Sequence, residues 1–476
     1  MPTSNVPETE ATAAAEQGSG IKQPFSKRHR KLHVALKIIL SLVVFIACDV
    51  LISYVLVPYG TKSEVMWWEY RQTDELDTII IGDSLTQRGF DPDIIDPIAG
   101  TDSLNMATNG QEAVESYIAL RQAFKDHPEV DRVIYGLELS MLTKTPRAAH
   151  LSGFLTEKWK DESASEIYDD LKYALRGEDF ISTPDSINII FPWVKQHCYF
   201  QNVPRNIKSR LDGLDPGQAS SVNDEDWTYI DNGFGGYSLV LDYNTITQTN
   251  YMNFYHPREI REENMAHLLE ICRLCKENDV EMIAVAPPMP DFNLFAMKDK
   301  YEEFYGQIEE ELASEGVRFY NFNLAKDELF ESVETDYMDW EHLNLRGGQR
   351  LSRSMAQLIL ADQAGEDLGQ YFYSLDERLD HLDTISRVAL KLKRSDDGKS
   401  IEVKATPATG PKTKVEYEFR AREKDKGTFE VIQEYSGNNK LTWTPPRKGA
   451  WEVRVYARLA DSPVKYGKYH TQVLVL

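Results

Sequence analysis

Short apolar runs and amphipathic stretches alternate along the chain between residues 77 and 361. The apolar runs predict buried strands at 78–81, 103–106, 132–139, 281–286 and 317–322. The stretches with a helical period predict helices at 112–124, 257–277, 298–314 and 346–361. Strands that are apolar on both faces are typical of a parallel sheet with helices packed on both sides. We therefore expect an α/β domain over residues 70–373, built on a doubly wound, flavodoxin-like sheet.

A long insert, residues 145–256, separates the third predicted strand from the fourth. It is rich in aromatic residues, is predicted to be helical at 163–175, and becomes rich in glycine and asparagine at 231–243. Stretches of this length inside a domain usually carry structure of their own or serve a function. The pattern fits a lid or a substrate groove over a site, and it fits additional packing equally well.

The pattern changes beyond residue 384, where apolar and polar positions alternate with a period of two. Turn residues separate these segments, as they do in a sheet with one buried face. Seven strands are predicted, at 388–393, 400–406, 415–422, 428–435, 440–443, 451–459 and 469–476. We expect an antiparallel β-sandwich of the immunoglobulin or fibronectin type over residues 385–476, joined to the α/β domain by a linker at 374–383.

Residues 38–57 form a run of 20 residues that is apolar except for Asp49 and small polar residues. At about 1.5 Å per residue, a helix of this length crosses a bilayer core of about 30 Å. A basic cluster precedes the run, so the positive-inside rule places a disordered tail, residues 1–37, in the cytoplasm and the later domains outside the membrane. The charge of Asp49 inside the membrane suits contact with a partner's membrane helices, or it is tolerated because the segment is so apolar. A cleaved signal peptide and a buried core helix are the alternatives.

The charge balance narrows the range of partners. The chain has 53 basic and 76 acidic residues, which gives a net charge of −23. Because the tail has a net charge of +3, the rest of the chain has a net charge of −26. So acidic a protein is a poor match for the nucleic-acid backbone, and we expect no nucleic-acid partner. The four cysteines do not suggest a disulfide framework, and Cys272 and Cys275 lack the second ligand pair that a zinc site needs. We expect neither a metal ion nor another cofactor.

Two motifs far apart in the chain carry the candidate chemistry. Gly82-Asp83-Ser84-Leu85 places a hydroxyl directly after the first predicted strand, and Asp339-Trp340-Glu341-His342 places a carboxylate and an imidazole three residues apart. A serine becomes a nucleophile when an imidazole takes its proton, and a carboxylate fixes the tautomer of that imidazole. The candidate catalytic residues are therefore Ser84, Asp339 and His342, with Glu341 and Asp336 as alternative carboxylates.

These motifs resemble the first and last sequence blocks of the SGNH/GDSL hydrolase superfamily, over roughly residues 75–362. Asn105 and Gly110 match the second block, which implies that they bind the oxyanion or the substrate. The segment His-Leu-Asn-x-x-Gly-Gly at 342–348 is similar to a membrane-anchored branch that modifies cell-envelope polymers, including the DltD-like and alginate-acetylation proteins. The resemblance implies an esterase or O-acyltransferase outside a bacterial cell membrane. It also implies acylated surface polysaccharide or teichoic-acid-like polymer as substrate, and a multipass membrane acyltransferase as a partner.

The third block departs from the pattern of the superfamily. Its asparagine falls at Glu138, and Ser140 is the nearest neutral donor, so Ser140 becomes a candidate for oxyanion binding. An ionised glutamate cannot donate a hydrogen bond, and loss of one oxyanion donor typically costs about 10²–10³ in rate. A second interpretation therefore stays open, in which the chain is a non-catalytic assembly factor that retains the fold and holds a multipass acyltransferase through its membrane helix.

Overall fold

The computed structural model describes residues 27–145, 148–176, 187–189, 191–246, 259–297 and 300–476. The chain divides into two units, residues 1–54 and 55–476. The described part of the first unit belongs to the helix Lys27–Leu56, which contains a 26-residue apolar stretch, residues 31–56. By length and composition this stretch can cross a membrane. The predicted tail is helical from Lys27 onward, while its residues 1–26 lie outside the described residues.

The second unit contains a parallel sheet, two larger antiparallel sheets and a small two-stranded antiparallel sheet. The described strands are β1 Thr78–Ile81, β2 Ser103–Asn105, β3 Arg132–Gly136, β4 Trp227–Tyr229, β5 Gly235–Tyr237, β6 Glu281–Ala286, β7 Arg318–Asn321, β8 Arg387–Arg394, β9 Ile401–Ala408, β10 Val415–Glu423, β11 Glu430–Ser436, β12 Lys440–Trp443, β13 Ala450–Leu459 and β14 Lys468–Val475. The parallel sheet has the order β2-β1-β3-β6-β7. Each of the five apolar runs from the sequence is one of its strands, in the order typical of flavodoxin-like sheets.

Both faces of the parallel sheet are buried, as the continuous apolar runs predict. Ile79 and Val133, neighbours in the register of β1 and β3, belong to the core on one face. Ile80 and Ile134, the next pair, belong to the core on the other face. Successive residues of a strand point to opposite sides, so a strand covered on both sides must be apolar at every position.

Helices cover the two faces of the parallel sheet and form much of the insert. Their bounds in the second unit are Lys62–Tyr70, Ser84–Gly89, Pro92–Ala99, Ala113–Asp126, Leu139–Thr143, Ala148–Lys158, Ala164–Ala174, Trp193–Gln196, Val203–Leu211, Pro216–Asn223, Glu262–Glu277, Phe292–Met297, Tyr301–Ser314, Asp327–Phe330, Leu345–Gln363 and Leu375–His381. The third strand ends at Gly136, earlier than predicted, because Glu138 is the N-cap of a short helix. The predicted helix starts at 257 and 298 lie outside the described residues.

The insert packs against the carboxyl end of the parallel sheet. Its turn at Asn232 accepts a hydrogen bond from the Asn105 N–H group at 3.0 Å, directly beside the end of β2. Further along, the Leu241 N–H group donates to the Tyr337 carbonyl at 2.8 Å, close to the second motif. The first contact is made by the loop of the small hairpin β4–β5, and the second lies a few residues beyond the end of β5. The insert is therefore connected to both motif-bearing regions.

The C-terminal residues form two antiparallel sheets with the orders β11-β10-β13-β14 and β12-β9-β8. All seven predicted strands are present. Leu390 and Val403 of one sheet share a core with Phe419 and Val455 of the other, so the sheets pack face to face.

The segment 374–383, predicted to be a linker, instead contains the helix Leu375–His381. Ser374 and Glu377 form a capping box at its start, a pattern that favours helix formation. Its Arg378 side chain is buried and pairs with Asp291 at 3.1 Å and with Asp327 at 3.3 Å. The helix is thus bound to the α/β domain through these ion pairs.

Candidate active site

A tight turn after β1 presents Ser84. Asp83 is the N-cap of the helix Ser84–Gly89, and its side chain accepts a hydrogen bond from the Leu85 N–H group at 2.9 Å. Gly82 has a φ of 157°, and a Cβ atom there would collide with the Thr86 side chain and the Gly136 carbonyl. Only glycine fits between β1, β3 and the helix at this point. The sequence Gly-Asp-Ser therefore sets the turn that places the hydroxyl at the end of the strand.

The two motifs meet at Ser84 and His342. The Ser84 hydroxyl lies 2.8 Å from His342 Nε2. On the other side of the ring, His342 Nδ1 lies 2.9 Å from Asp339 Oδ2 and 3.1 Å from Oδ1. Because an ionised carboxylate only accepts hydrogen bonds, Nδ1 carries the proton and Nε2 is free to accept one from the serine. The three candidate catalytic residues thus form a continuous hydrogen-bonded chain.

The surroundings keep the imidazole neutral and its carboxylate ionised. Burial lowers the pKa of His342, the charge of Arg88 lowers it further, and the contact with Asp339 opposes both effects. Burial on its own would raise the pKa of Asp339, but the hydrogen bonds from the ring and backbone of His342 and from the backbone of Glu341 hold it below its usual value. A neutral imidazole beside an ionised carboxylate is the resting state that a general base requires.

The two alternative carboxylates are placed differently. Glu341 Oε1 is 3.6 Å from His342 Nδ1, farther than either oxygen of Asp339. Asp336 is held by Arg350, and its Oδ1 lies 3.7 Å from Arg346 Nε. Asp339 is therefore the carboxylate that orients the ring.

A cavity of about 370 Å³ opens beside Ser84 and His342. Four acidic residues line it, Asp83, Glu112, Glu138 and Glu341. Burial and the charge of Glu138 raise the pKa of Asp83 to about 8, and burial together with Glu138 and Asp339 raises the pKa of Glu341 to about 9. Both groups therefore favour the protonated form near neutral pH, which reduces the negative charge that the four acidic residues would place around an oxyanion.

The predicted oxyanion residues do not all face this cavity. Gly110, with a φ of 68°, lines it together with Ser84. Asn105 is completely buried, its amide donates to the Phe90 carbonyl at 2.7 Å, and its Oδ1 accepts the Ala107 N–H group at 3.0 Å. Asn105 therefore stabilises the C-terminal end of the helix that begins at Ser84, and it does not line the cavity, contrary to our expectation from the second block.

Ser140 lines the cavity, but its hydrogen bonds lead elsewhere. Both its hydroxyl and its backbone N–H group donate to the Glu138 carboxylate, the latter at 3.1 Å. This is an N-cap arrangement, in which an acidic side chain accepts the first N–H groups of the helix Leu139–Thr143. The Ser140 hydroxyl is therefore committed to Glu138 and is not directed at an oxyanion.

Several further polar residues line the cavity, and two of them, Arg88 and Asn109, contact each other although the motifs assign neither a role. Arg88 is one helical turn beyond Ser84, and its Nη2 donates to Asn109 Oδ1 at 3.2 Å. Its guanidinium carbon lies 5.2 Å from the ring centre of Tyr237 and 6.0 Å from that of Trp227, both in the insert. The sequence shows that Arg88 follows Ser84 by four residues, but it does not show that Trp227 and Tyr237 of the insert pack beside the guanidinium group.

Comparison with known proteins gives limited help. No family model and no curated protein matches the chain. Among solved structures, a candidate platelet activating factor from Streptococcus pneumonia is 11% identical, with a TM-score of 0.28 over 66% of this chain and 98% of that chain. An engineered protein is 10% identical, with a TM-score of 0.17 over 88% of this chain and 98% of that chain. At these TM-scores neither similarity supports a conclusion about function.

Proposed function

We propose that this protein is a serine esterase or O-acyltransferase of the SGNH type, with Ser84 as nucleophile, His342 as general base and Asp339 as its orienting carboxylate. The proposal is carried by one observation, the 2.8 Å contact between the Ser84 hydroxyl and His342 Nε2. Two residues that are 258 positions apart in the sequence meet at that contact. The motif resemblance supports the same roles.

In the first half-reaction, the Ser84 oxygen attacks the carbonyl carbon of an ester while its proton moves to His342 Nε2. The Asp339 carboxylate stabilises the imidazolium that forms. The carbonyl oxygen becomes an oxyanion, which the backbone N–H groups of Ser84 and Gly110 stabilise. Ser84 is the first residue of its helix, where N–H groups have no partner within the helix. Collapse of the intermediate breaks the ester bond, and His342 returns the proton to the departing alcohol.

In the second half-reaction, an acceptor hydroxyl attacks the acyl-serine, and the same imidazole first accepts and then returns a proton. Water as acceptor gives an esterase, and a sugar hydroxyl gives an O-acyltransferase. The cavity is lined mainly by polar groups, which suits a hydroxyl-rich acceptor better than a long aliphatic chain.

We further propose that the substrates are acyl esters, in the first place acetyl esters, of a cell-surface polysaccharide or teichoic-acid-like polymer. The similarity of the segment 342–348 to envelope-modifying proteins supports this substrate class. The apolar helix Lys27–Leu56 supports attachment to a cell membrane, with a cytoplasmic N-terminus and the other domains outside. A multipass membrane acyltransferase would then be the donor of the acyl group.

The alternative is a non-catalytic assembly factor for such an acyltransferase. The Glu138–Ser140 pair favours it, because these residues occupy the third block without directing a donor at the cavity. The intact hydrogen-bonded chain from Ser84 to Asp339 favours catalysis instead. The two functions differ in one measurable property, turnover that depends on Ser84.

The test uses the full chain in detergent with p-nitrophenyl acetate as substrate. We expect hydrolysis that Ser84→Ala and His342→Ala reduce by about 10³-fold or more. Ser140→Ala is the matched control, since this second serine of the cavity contacts Glu138 and not His342. Equal rates for wild type and Ser84→Ala, in protein that melts cooperatively, would favour the assembly factor.

A further inference from the structure

The oxyanion site lacks a side-chain donor if only the predicted residues are considered. The amide of Asn105 donates to backbone carbonyl groups, and the hydroxyl of Ser140 donates to Glu138. Acyl-transfer sites depend on several donors aimed at the place where negative charge develops. A further N–H donor would have to come from another described residue on the cavity wall.

Three side chains on the cavity wall carry such groups besides Arg88. Gln111 is fully buried, and its Nε2 donates to Ser116 Oγ at 3.1 Å. The charge of Lys144 acts on the carboxyl group of Glu341. Asn109 differs from both, because only its Oδ1 is engaged, by Arg88, and no hydrogen bond among the described residues takes up its Nδ2 group. The hydrogen bond from Arg88 therefore fixes which way the Asn109 amide points, and both N–H bonds of Nδ2 can donate to a bound substrate.

The position of Asn109 in the chain matches this role. It directly precedes Gly110, whose backbone N–H group we assign to the oxyanion, and both residues line the cavity with Ser84. An amide one residue away from a backbone donor can reach the same oxygen atom from a different direction. The third block offers no such side-chain donor, because its position is occupied by Glu138, whose carboxylate accepts hydrogen bonds from Ser140.

Arg88 is built into the wall behind Asn109. Its side chain is 6% exposed, and its Nε is buried without a hydrogen-bond partner among the described residues. The rings of Trp227 and Tyr237 flank the guanidinium group, an arrangement that stabilises a cation. The helix Leu345–Gln363 also passes so close that a Cβ atom at Gly348 would collide with the Arg88 carbonyl. Arg88 therefore has little freedom to release Asn109.

We propose that Asn109 is a catalytic residue that donates the side-chain hydrogen bond to the oxyanion, and that Arg88 is the positioning residue that holds its amide. This assignment rests on the proposed esterase or acyltransferase function. In this assignment Asn109, which follows β2, supplies the hydrogen-bond donor that the third block lacks.

The test measures p-nitrophenyl acetate hydrolysis by the full chain in detergent. For Asn109→Ala we expect kcat to fall by about 10²–10³-fold with KM changed by less than about threefold, because an oxyanion donor acts in the transition state. Asn109→Asp, of nearly the same shape, should lose at least as much, since it replaces a donor with an acceptor. Thermal melting checks that both variants fold.

The positioning role of Arg88 is tested by a double-mutant cycle. Arg88→Ala should lower kcat, Arg88→Lys should restore part of the loss, and Arg88→Ala should have little further effect once Asn109 is alanine. Fully additive losses would overturn the positioning role. Ser140→Ala is the comparison variant, and a larger loss there than in Asn109→Ala would return the donor to the third block.

The outcomes separate this inference from the function on which it rests. Wild-type activity that disappears in Ser84→Ala but persists in folded Asn109→Ala and Asn109→Asp overturns the inference and leaves the esterase intact. Absence of Ser84-dependent activity in the wild type overturns both.

Discussion

Asp339 holds His342 through its backbone and its ring at the same time. Asp339 Oδ1 accepts the His342 N–H group at 2.8 Å, while His342 Nδ1 lies 2.9 Å from Asp339 Oδ2. The spacing of three residues thus sets a tight turn and aims the imidazole with a single carboxylate. The same turn leaves Nε2 facing Ser84, so the local sequence supplies one of the two side-chain links that join Ser84, His342 and Asp339.

Asp339→Asn should remove the orienting charge while the side chain keeps its shape. An amide can present its NH₂ group to Nδ1, which favours the wrong tautomer of the imidazole. We expect kcat for p-nitrophenyl acetate to fall by about 10³–10⁴-fold, in protein with an unchanged fold. Steady-state kinetics beside circular dichroism checks this. A loss of less than tenfold would show that another carboxylate, with Glu341 the nearest, orients the ring.

The pH dependence should report the buried imidazole. Because burial lowers the pKa of His342, kcat/KM should rise with pH along an acid limb whose midpoint lies below the ordinary imidazole value of 6.5. Above about pH 8, ionisation of Asp83 places negative charge beside the oxyanion, so the rate should decline. A pH–rate profile of the full chain checks both limbs. An acid limb with its midpoint above pH 7 would contradict the environment described for His342.

Glu341→Gln should stabilise the protein at alkaline pH. Burial raises the pKa of Glu341 from 4.5 to about 9, so between these values the folded state retains a proton that the unfolded chain loses. The stability of the wild type therefore falls as pH rises through this interval, and a glutamine, which does not ionise, avoids that loss. We expect similar melting temperatures near pH 4.5 and a higher one for the variant at pH 8.5, by about 2–4 °C for each kcal/mol gained. If the melting temperatures of the variant and the wild type differ by the same amount at both pH values, the raised pKa of Glu341 is refuted.

The same Glu341→Gln variant separates stability from catalysis. Because Asp339 makes the closer contact with Nδ1, kcat should change by less than about tenfold. A collapse of activity equal to that of Asp339→Asn would mean that the two carboxyl groups act on the ring as a unit.

The strands and the contact between Asp339 and His342 could be predicted because their signals are local. An apolar run such as Thr78–Ile81 is needed wherever both faces of a strand are covered, and the observed strand has the same bounds. The Asp339–His342 contact depends on three residues of spacing within one turn. Its partner Ser84 follows from the rule that functional groups collect at the carboxyl ends of parallel strands.

Other features depend on tertiary placement and left no comparable signal. Asn105 and Ser140 have the right chemistry and nearly the right position, yet their hydrogen bonds go to backbone carbonyls and to Glu138. Whether a short polar side chain faces a cavity or caps a neighbouring helix changes with its rotamer, which the sequence does not report. The Arg88–Asn109 pair depends in the same way on aromatic rings from the insert. The segment 374–383 carries a local helix signal, the capping box at Ser374, within a stretch whose position between two domains predicts a linker.

The most direct test of the catalytic assignment is the site of covalent reaction with a serine-directed fluorophosphonate. The full chain in detergent is labelled and digested, and the modified peptide is identified by mass spectrometry. We predict a single adduct on Ser84 that forms readily in the wild type and in Ser140→Ala, and at least about 10²-fold more slowly in His342→Ala. No adduct on Ser84 in protein with a cooperative melting transition, or an adduct that forms equally fast without His342, would contradict the catalytic assignment.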